Sequence, residues 1–215
     1  MNELYPKFSE KLNSSVGMFV GLAIGDAMGA PIEFQPAREP NEYVKEYREG
    51  GAHNVSIGEF TDDTSMALAM ADAFIQSYDF DPHTIMDNFL LWKNKGAYSP
   101  RGVMFDCGIT VGEALRKYEN DKSIPFAGNT DPLSAGNGGL MRLAPAIIAA
   151  RSEEQAVYYA RESTRLTHGA EEALFYSELI AKELWNKSAS NEDEDKKHPL
   201  DIKREDVMSG GYVKE

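Results

Sequence analysis

Apolar residues recur at helical spacing along most of the chain. Val16, Phe19, Val20, Ala23, Ile24, Ala27 and Met28 follow the i, i+3, i+4 rule, which predicts a helix with one buried apolar stripe. Gly17, Gly21, Gly25 and Gly29 form a second stripe, four residues apart. Each interior glycine costs a helix about 1 kcal/mol against alanine, so this face is expected to recover the loss by close backbone approach to another helix or a ligand. The next helix opens at Thr61-Asp62-Asp63-Thr64 and carries Met66, Met70, Ala73, Phe74 and Ser77 on one side. Further helices fit 85–93, 110–118, 140–150, 153–164 and 171–185. Strand-like alternation is confined to the short stretch 54–57, and no internal repeat has a fixed period. The reading is all-α.

Composition narrows the class. With 215 residues, 42% hydrophobic and 27% charged, the chain fits a single globular domain with a substantial core. Its longest apolar run, 16–25, ends at Asp26 and is too short for a membrane span, so no membrane partner is expected. The net charge of −13 repels phosphate backbones, which makes nucleic acid a poor partner. Cys107 is the only cysteine and the N-terminus shows no export signal, so a cytoplasmic location is expected. The stretch 186–206 holds seven acidic and five basic residues with few large apolar ones, and is read as a solvated excursion. Apolar character returns at 207–213.

Five segments offer chemistry. Thr61, Asp62 and Asp63 at a helix start serve either as caps or as a cluster of hard oxygens suited to Mg²⁺ or Mn²⁺. Gly136, Asn137, Gly138 and Gly139, followed by Arg142, form either a flexible turn or a phosphate cradle to which the arginine adds a charge-assisted contact. No strand precedes them and there is no Walker lysine, so a dinucleotide fingerprint and a P-loop are excluded. Glu33, between Pro31 and Phe34, is either a solvated charge or a carboxylate presented to a site. Asp106 lies in the glycine-bearing loop 101–108 and either caps the next helix or faces a site. His168 precedes another helix and is either structural or a ligand contact.

In this order, the segments 21–34, 60–64, 101–108, 136–145 and 167–168 resemble the ADP-ribosylglycohydrolase family, which includes the enzyme that reactivates dinitrogenase reductase. The resemblance implies an all-α fold around a binuclear Mg²⁺ or Mn²⁺ centre that cleaves the glycosidic bond between ADP-ribose and an acceptor. By position it implies that Thr61, Asp62 and Asp63 are metal ligands. Glu33 and Asp106, with Asp63, would then be catalytic. Gly136, Asn137, Gly138 and Gly139 would cradle the diphosphate, and Arg142 and His168 would contact substrate. Two departures stand out. Ile109 occupies a place where the reductase-reactivating branch commonly has asparagine, and the late Asp-x-Asp-Thr segment that supplies the remaining ligands is missing.

The chain is therefore expected to be a C-terminally truncated hydrolase, alone or completed by a second polypeptide that supplies the segment, acting on an ADP-ribosylated protein or small molecule. The alternative is an inactive relative that only binds ADP-ribose or a related nucleotide. A purely structural role is a third reading. Loss of terminal helices would leave part of the glycine-striped helix uncovered, so marginal solubility or self-association is expected.

Overall fold

A computed structural model describes residues 10–36, 39 and 42–189. Among them are seven α-helices: α1 (Glu10–Gly29), α2 (Asp62–Ser77), α3 (Pro82–Lys95), α4 (Ile109–Asn120), α5 (Ala144–Ala149), α6 (Glu153–Arg165) and α7 (Glu171–Ala189). The described residues contain no strand, only two isolated bridges that pair Gly50 with Val55 and Asn129 with His168. The all-α reading holds.

Helix α2 is the centre. Met66, Ala69, Met70 and Ala73 are inaccessible along it, in one core with Ile85, Phe89 and Trp92 of α3, Ala146 and Ile147 of α5, Ala160 of α6 and Leu166 just after it. Burying each large side chain contributes roughly 1.5–3 kcal/mol. Capping fixes the helix ends. Asp81 accepts from the amide of His83 at 3.0 Å to start α3, with Pro82 in the first turn, where its missing N–H costs nothing. Gly96 ends α3 at φ +68, and a Cβ there would lie 2.1 Å from the carbonyl oxygen of Gly102. The loop after α3 therefore folds back onto its own helix end, which sets the position of Arg101.

Two helical expectations need correction. The segment 140–150 is not one helix: a 3-10 helix, Asn137–Arg142, gives way to α5 at Ala144. Pro145 is the cause, because inside a continuous helix its ring would strike the carbonyl of Met141 and leave that carbonyl unpaired. The second correction concerns α1. Gly17, Gly21, Gly25 and Gly29 would each meet nothing within 4 Å if given a Cβ, so among the described residues no close neighbour lies on that face. The expected buried stripe is partly open too: Val16, Val20 and Ile24 are 43–49% exposed, Phe19, Ala23 and Met28 are half-buried, and Ala27 is buried. Helix α1 touches α2, α5 and α7 through its other side.

On length and composition alone, the segment 12–32 could cross a bilayer, contrary to the expectation from the ten-residue run; its mean hydropathy is 1.4 and 17% of it is buried. Its one charge, Asp26, is nevertheless tied to α2. The polar excursion also begins later than expected, since 186–189 complete α7. The rest of it, and the apolar return at 207–213, lie outside the described residues.

Candidate functional site

Asp26 anchors the site. Both of its carboxylate oxygens accept from the amide of Thr61 at 3.0 Å, one accepts from the Thr61 hydroxyl at 2.8 Å, and the other accepts from the Thr64 amide and hydroxyl at 3.0 and 2.6 Å. The N-cap of α2 is thus supplied from α1, 35 residues earlier in sequence. Thr61 itself makes no side-chain capping bond. The amide and hydroxyl at the third helical position, Thr64, are therefore served by Asp26 and not by the Thr-Asp-Asp segment. Asp26 was the residue missing from the sequence account, although a lone charge in an apolar helix was a signal.

With the cap satisfied elsewhere, Asp62 and Asp63 sit among other acids. Burial pushes the Asp62 carboxyl well above the carboxylate range, and the charges of Asp106, Asp26 and Glu33 add to it. The same holds for Asp63, through burial first and Asp62 next. Glu33 is raised to about 7 by burial and by the neighbouring Asp106. Like charges at this density stay ionised only if something positive arrives. The Thr61 hydroxyl gives its one proton to Asp26 and keeps its lone pairs. Thr61, Asp62 and Asp63 together therefore form a set of hard oxygen donors that fits a divalent cation.

The structure also brings Asp106 to Glu33, with a histidine between them. His53 Nε2 lies 3.2 Å from Asp106 Oδ2 and 3.4 Å from Glu33 Oε2. Asp106 holds the left-handed conformation at φ +54, which aspartate tolerates better than most residues. Arg101 fixes this corner: its Nε and one terminal nitrogen grip both oxygens of Glu59 at 2.8 Å, that terminal nitrogen also donates to the carbonyls of His53 and Asn54 at 3.2 Å, and the guanidinium lies 3.8 Å over the Phe105 ring. The fork holds Glu59 down at about 2. Neither His53 nor the Arg101–Glu59 clamp was legible in sequence, because both join loops without periodicity. Cys107 is near, but burial raises its thiol to about 11, which leaves it protonated.

Arg142 and His168 are placed differently from the expectation. Arg142 is 0% exposed; it donates to the Ser163 carbonyl at 3.1 Å and to the Thr167 hydroxyl at 2.6 Å, and lies 4.7 Å from the Phe89 ring centre. A phosphate outside the protein cannot reach it in this conformation, so its contact-residue role is corrected to a core one, where burial lowers its proton affinity and the charge of Asp62 partly restores it. His168 is 2% exposed and driven down to about 3 by burial and by Arg142, so it is neutral at physiological pH. Its Nδ1 lies 2.9 Å from the Thr167 hydroxyl.

Gly138 and Gly139 are glycine for packing reasons. A Cβ on Gly138 would lie 2.6 Å from His168 Cε1, and one on Gly139 would lie 2.4 Å from Thr164 Cγ2. Gly136 is buried beside them, while Asn137 is exposed at the start of the 3-10 helix. The glycine turn and His168 are therefore one packed unit.

Comparison with known proteins agrees with the all-α fold. Residues 9–205 match the family model described as ADP-ribosylglycohydrolase. The chain is 37% identical over 176 residues to an ADP-ribosylarginine hydrolase of Pseudomonas putida, covering 81% of this chain and 47% of that protein. It is 34% identical over 140 residues to the ADP-ribosyl-[dinitrogen reductase] glycohydrolase of Rhodospirillum rubrum, covering 63% and 44%. A solved structure, an ADP-ribosylglycohydrolase-related protein complex, superposes with a TM-score of 0.67 at 38% identity over 81% of this chain and 56% of that one. The chain spans about half the length of the curated relatives it matches. The family model covers most of the sequence and the fold agrees, so this chain belongs to the ADP-ribosylglycohydrolase family.

Proposed function

We propose that the chain hydrolyses the glycosidic bond between ADP-ribose and an acceptor, with an arginine nitrogen as the first acceptor to test because the relatives from Pseudomonas putida and Serratia proteamaculans are ADP-ribosylarginine hydrolases. One observation carries the reading: Asp62, Asp63, Glu33 and Asp106 interact with one another across three separate chain segments, while Asp26 takes over the capping work that would otherwise occupy the first two. A solely structural protein gains nothing from carboxylates that repel one another.

Thr61, Asp62 and Asp63 would hold Mg²⁺ or Mn²⁺. When bound, such a cation neutralises the cluster and polarises oxygens of the ribose and of water. The chain's own residues handle the proton. Glu33, raised to about 7, exchanges a proton near neutral pH, which suits a group that gives one to the leaving nitrogen or takes one from water. Asp106 beside it sets that affinity by charge. The unit of Gly138, His168 and Thr167 braces the glycine turn from behind, so any phosphate contact there comes from exposed Asn137 and the backbone rather than from Arg142.

The test is release of ADP-ribose from ADP-ribosylarginine with Mn²⁺ or Mg²⁺ present. Turnover is expected, falling at least 100-fold in Glu33→Gln. Absence of turnover, even with a C-terminal segment of a relative added in trans, overturns hydrolysis. The second reading, a chain that only binds ADP-ribose, draws on the half-length match to its relatives. Calorimetry with ADP-ribose separates the two, since heat of binding without turnover supports it.

A further inference from the structure

The corner formed by Glu33, His53 and Asp106 differs in chemistry from the Thr61-Asp62-Asp63 oxygens. It contains an imidazole nitrogen. One donor atom from each residue lies within 4.8 Å of the other two, and the two distances from His53 Nε2 are 3.2 and 3.4 Å. Zinc bound at roughly 2.0–2.2 Å to nitrogen and oxygen in a tetrahedral shell places its donors about 3.4 Å apart. The two distances from the imidazole nitrogen already match that spacing.

His53 Nε2 supplies the second observation. It is shut off from solvent and makes no hydrogen bond, despite two carboxylate oxygens within 3.4 Å. At those distances a bond fails only through direction, so the nitrogen is aimed at neither oxygen. A solvent-shielded imidazole nitrogen beside two carboxylates, hydrogen-bonded to neither, is open to a cation that all three share.

The surroundings hold the ring in place. Its backbone carbonyl accepts from Arg101 at 3.2 Å, and its ring lies 6.1 Å from Phe34 and 6.4 Å from Phe105, both tilted against it. Arg101 is in turn locked by Glu59. Outer contacts of this kind orient metal-ligating histidines and limit their freedom to turn away.

We propose that Glu33, His53 and Asp106 form a separate three-ligand site for a borderline divalent cation of the Zn²⁺ type, with a remaining position open to water. Mg²⁺ is a poor occupant, because it demands oxygen donors in near-octahedral array. If the hydrolase reading above is right, zinc here withdraws Glu33 and Asp106 from proton transfer and inhibits turnover. The site itself does not depend on that reading.

The experiment uses the full chain, saturated with MgCl₂ and titrated calorimetrically with ZnCl₂ alone, followed by X-ray absorption at the zinc edge. One equivalent of zinc is expected to bind, with the outer-shell scattering of a single imidazole. His53→Gln is expected to weaken binding at least tenfold and to remove the imidazole signature, while Asp63→Asn retains both. Unchanged zinc affinity in His53→Gln overturns the site. So does a spectrum without imidazole, or loss of zinc in Asp63→Asn but not in His53→Gln, which would assign the ion to the oxygen cluster. Circular dichroism of His53→Gln keeps the result readable, since a folded variant that loses zinc supports the proposal.

Discussion

Two polar clusters in the molecule answer to opposite rules. In one, Arg142, Thr167 and His168 are linked in a buried string. One terminal nitrogen of the guanidinium donates to the Ser163 carbonyl and the Thr167 hydroxyl, the other meets the Met66 sulfur, Nε alone has no partner, and the imidazole beside the hydroxyl is neutral. In the other, Asp62, Asp63, Glu33 and Asp106 raise one another's proton affinity and lack a comparable set of donors. The first cluster contributes to the fold, and the second costs it stability. A buried arginine among ordinary acceptors is thus weak evidence for a binding site, whereas carboxylates held together against repulsion point to a ligand that the protein awaits.

The largest way to break the comparison is Arg142→Ala. Removing a fully buried guanidinium leaves a void and strips partners from the Ser163 carbonyl and the Thr167 hydroxyl, so a loss of about 3–5 kcal/mol is expected in urea denaturation. A variant of normal stability that fails only in ADP-ribose binding would restore Arg142 to the substrate.

Acidity separates the clusters next. His168 has a folded pKa of about 3, below its unfolded value, so the stability from its neutral ring is complete above pH 6.5 and is lost as pH falls from there toward 3. The acids are raised in the fold, so they cost stability above their unfolded pKa values, and acidification relieves that cost. Replacing Glu33, Asp62 and Asp63 together by their amides should expose the His168 loss alone, about 2 kcal/mol between pH 6.5 and pH 5. In chelator, the unsubstituted chain should lose less stability over that interval, or gain some. Equal pH slopes in the two proteins would contradict the assignment.

The smallest effect sharpens the distinction between cap and ligand. Asp63→Asn removes one mutually repelled charge and leaves the Asp26 cap in place, so in metal-free buffer at pH 8 it should stabilise the fold by about 1 kcal/mol while abolishing Mn²⁺ binding. Destabilisation with intact Mn²⁺ affinity would return Asp63 to a capping role.

Periodicity alone showed where six of the helices run, because burying one face of a helix imposes a 3.6-residue pattern on the letters, and the Thr-Asp-Asp segment was recognisable as a helix start rich in oxygen donors. The break at Pro145 was equally open to a sequence argument, since the ring's clash with a carbonyl four residues back is local. Which carboxylate caps α2, which glycines are hemmed in by His168 and Thr164, and which arginine lies in the core were decided by contacts between residues 25 to 76 positions apart. The open face of α1 shows the same division. Its pattern of apolar and glycine positions was plain in the letters, but whether anything covers it is a property of the neighbours that the fold delivers, and a one-dimensional pattern does not contain its neighbours.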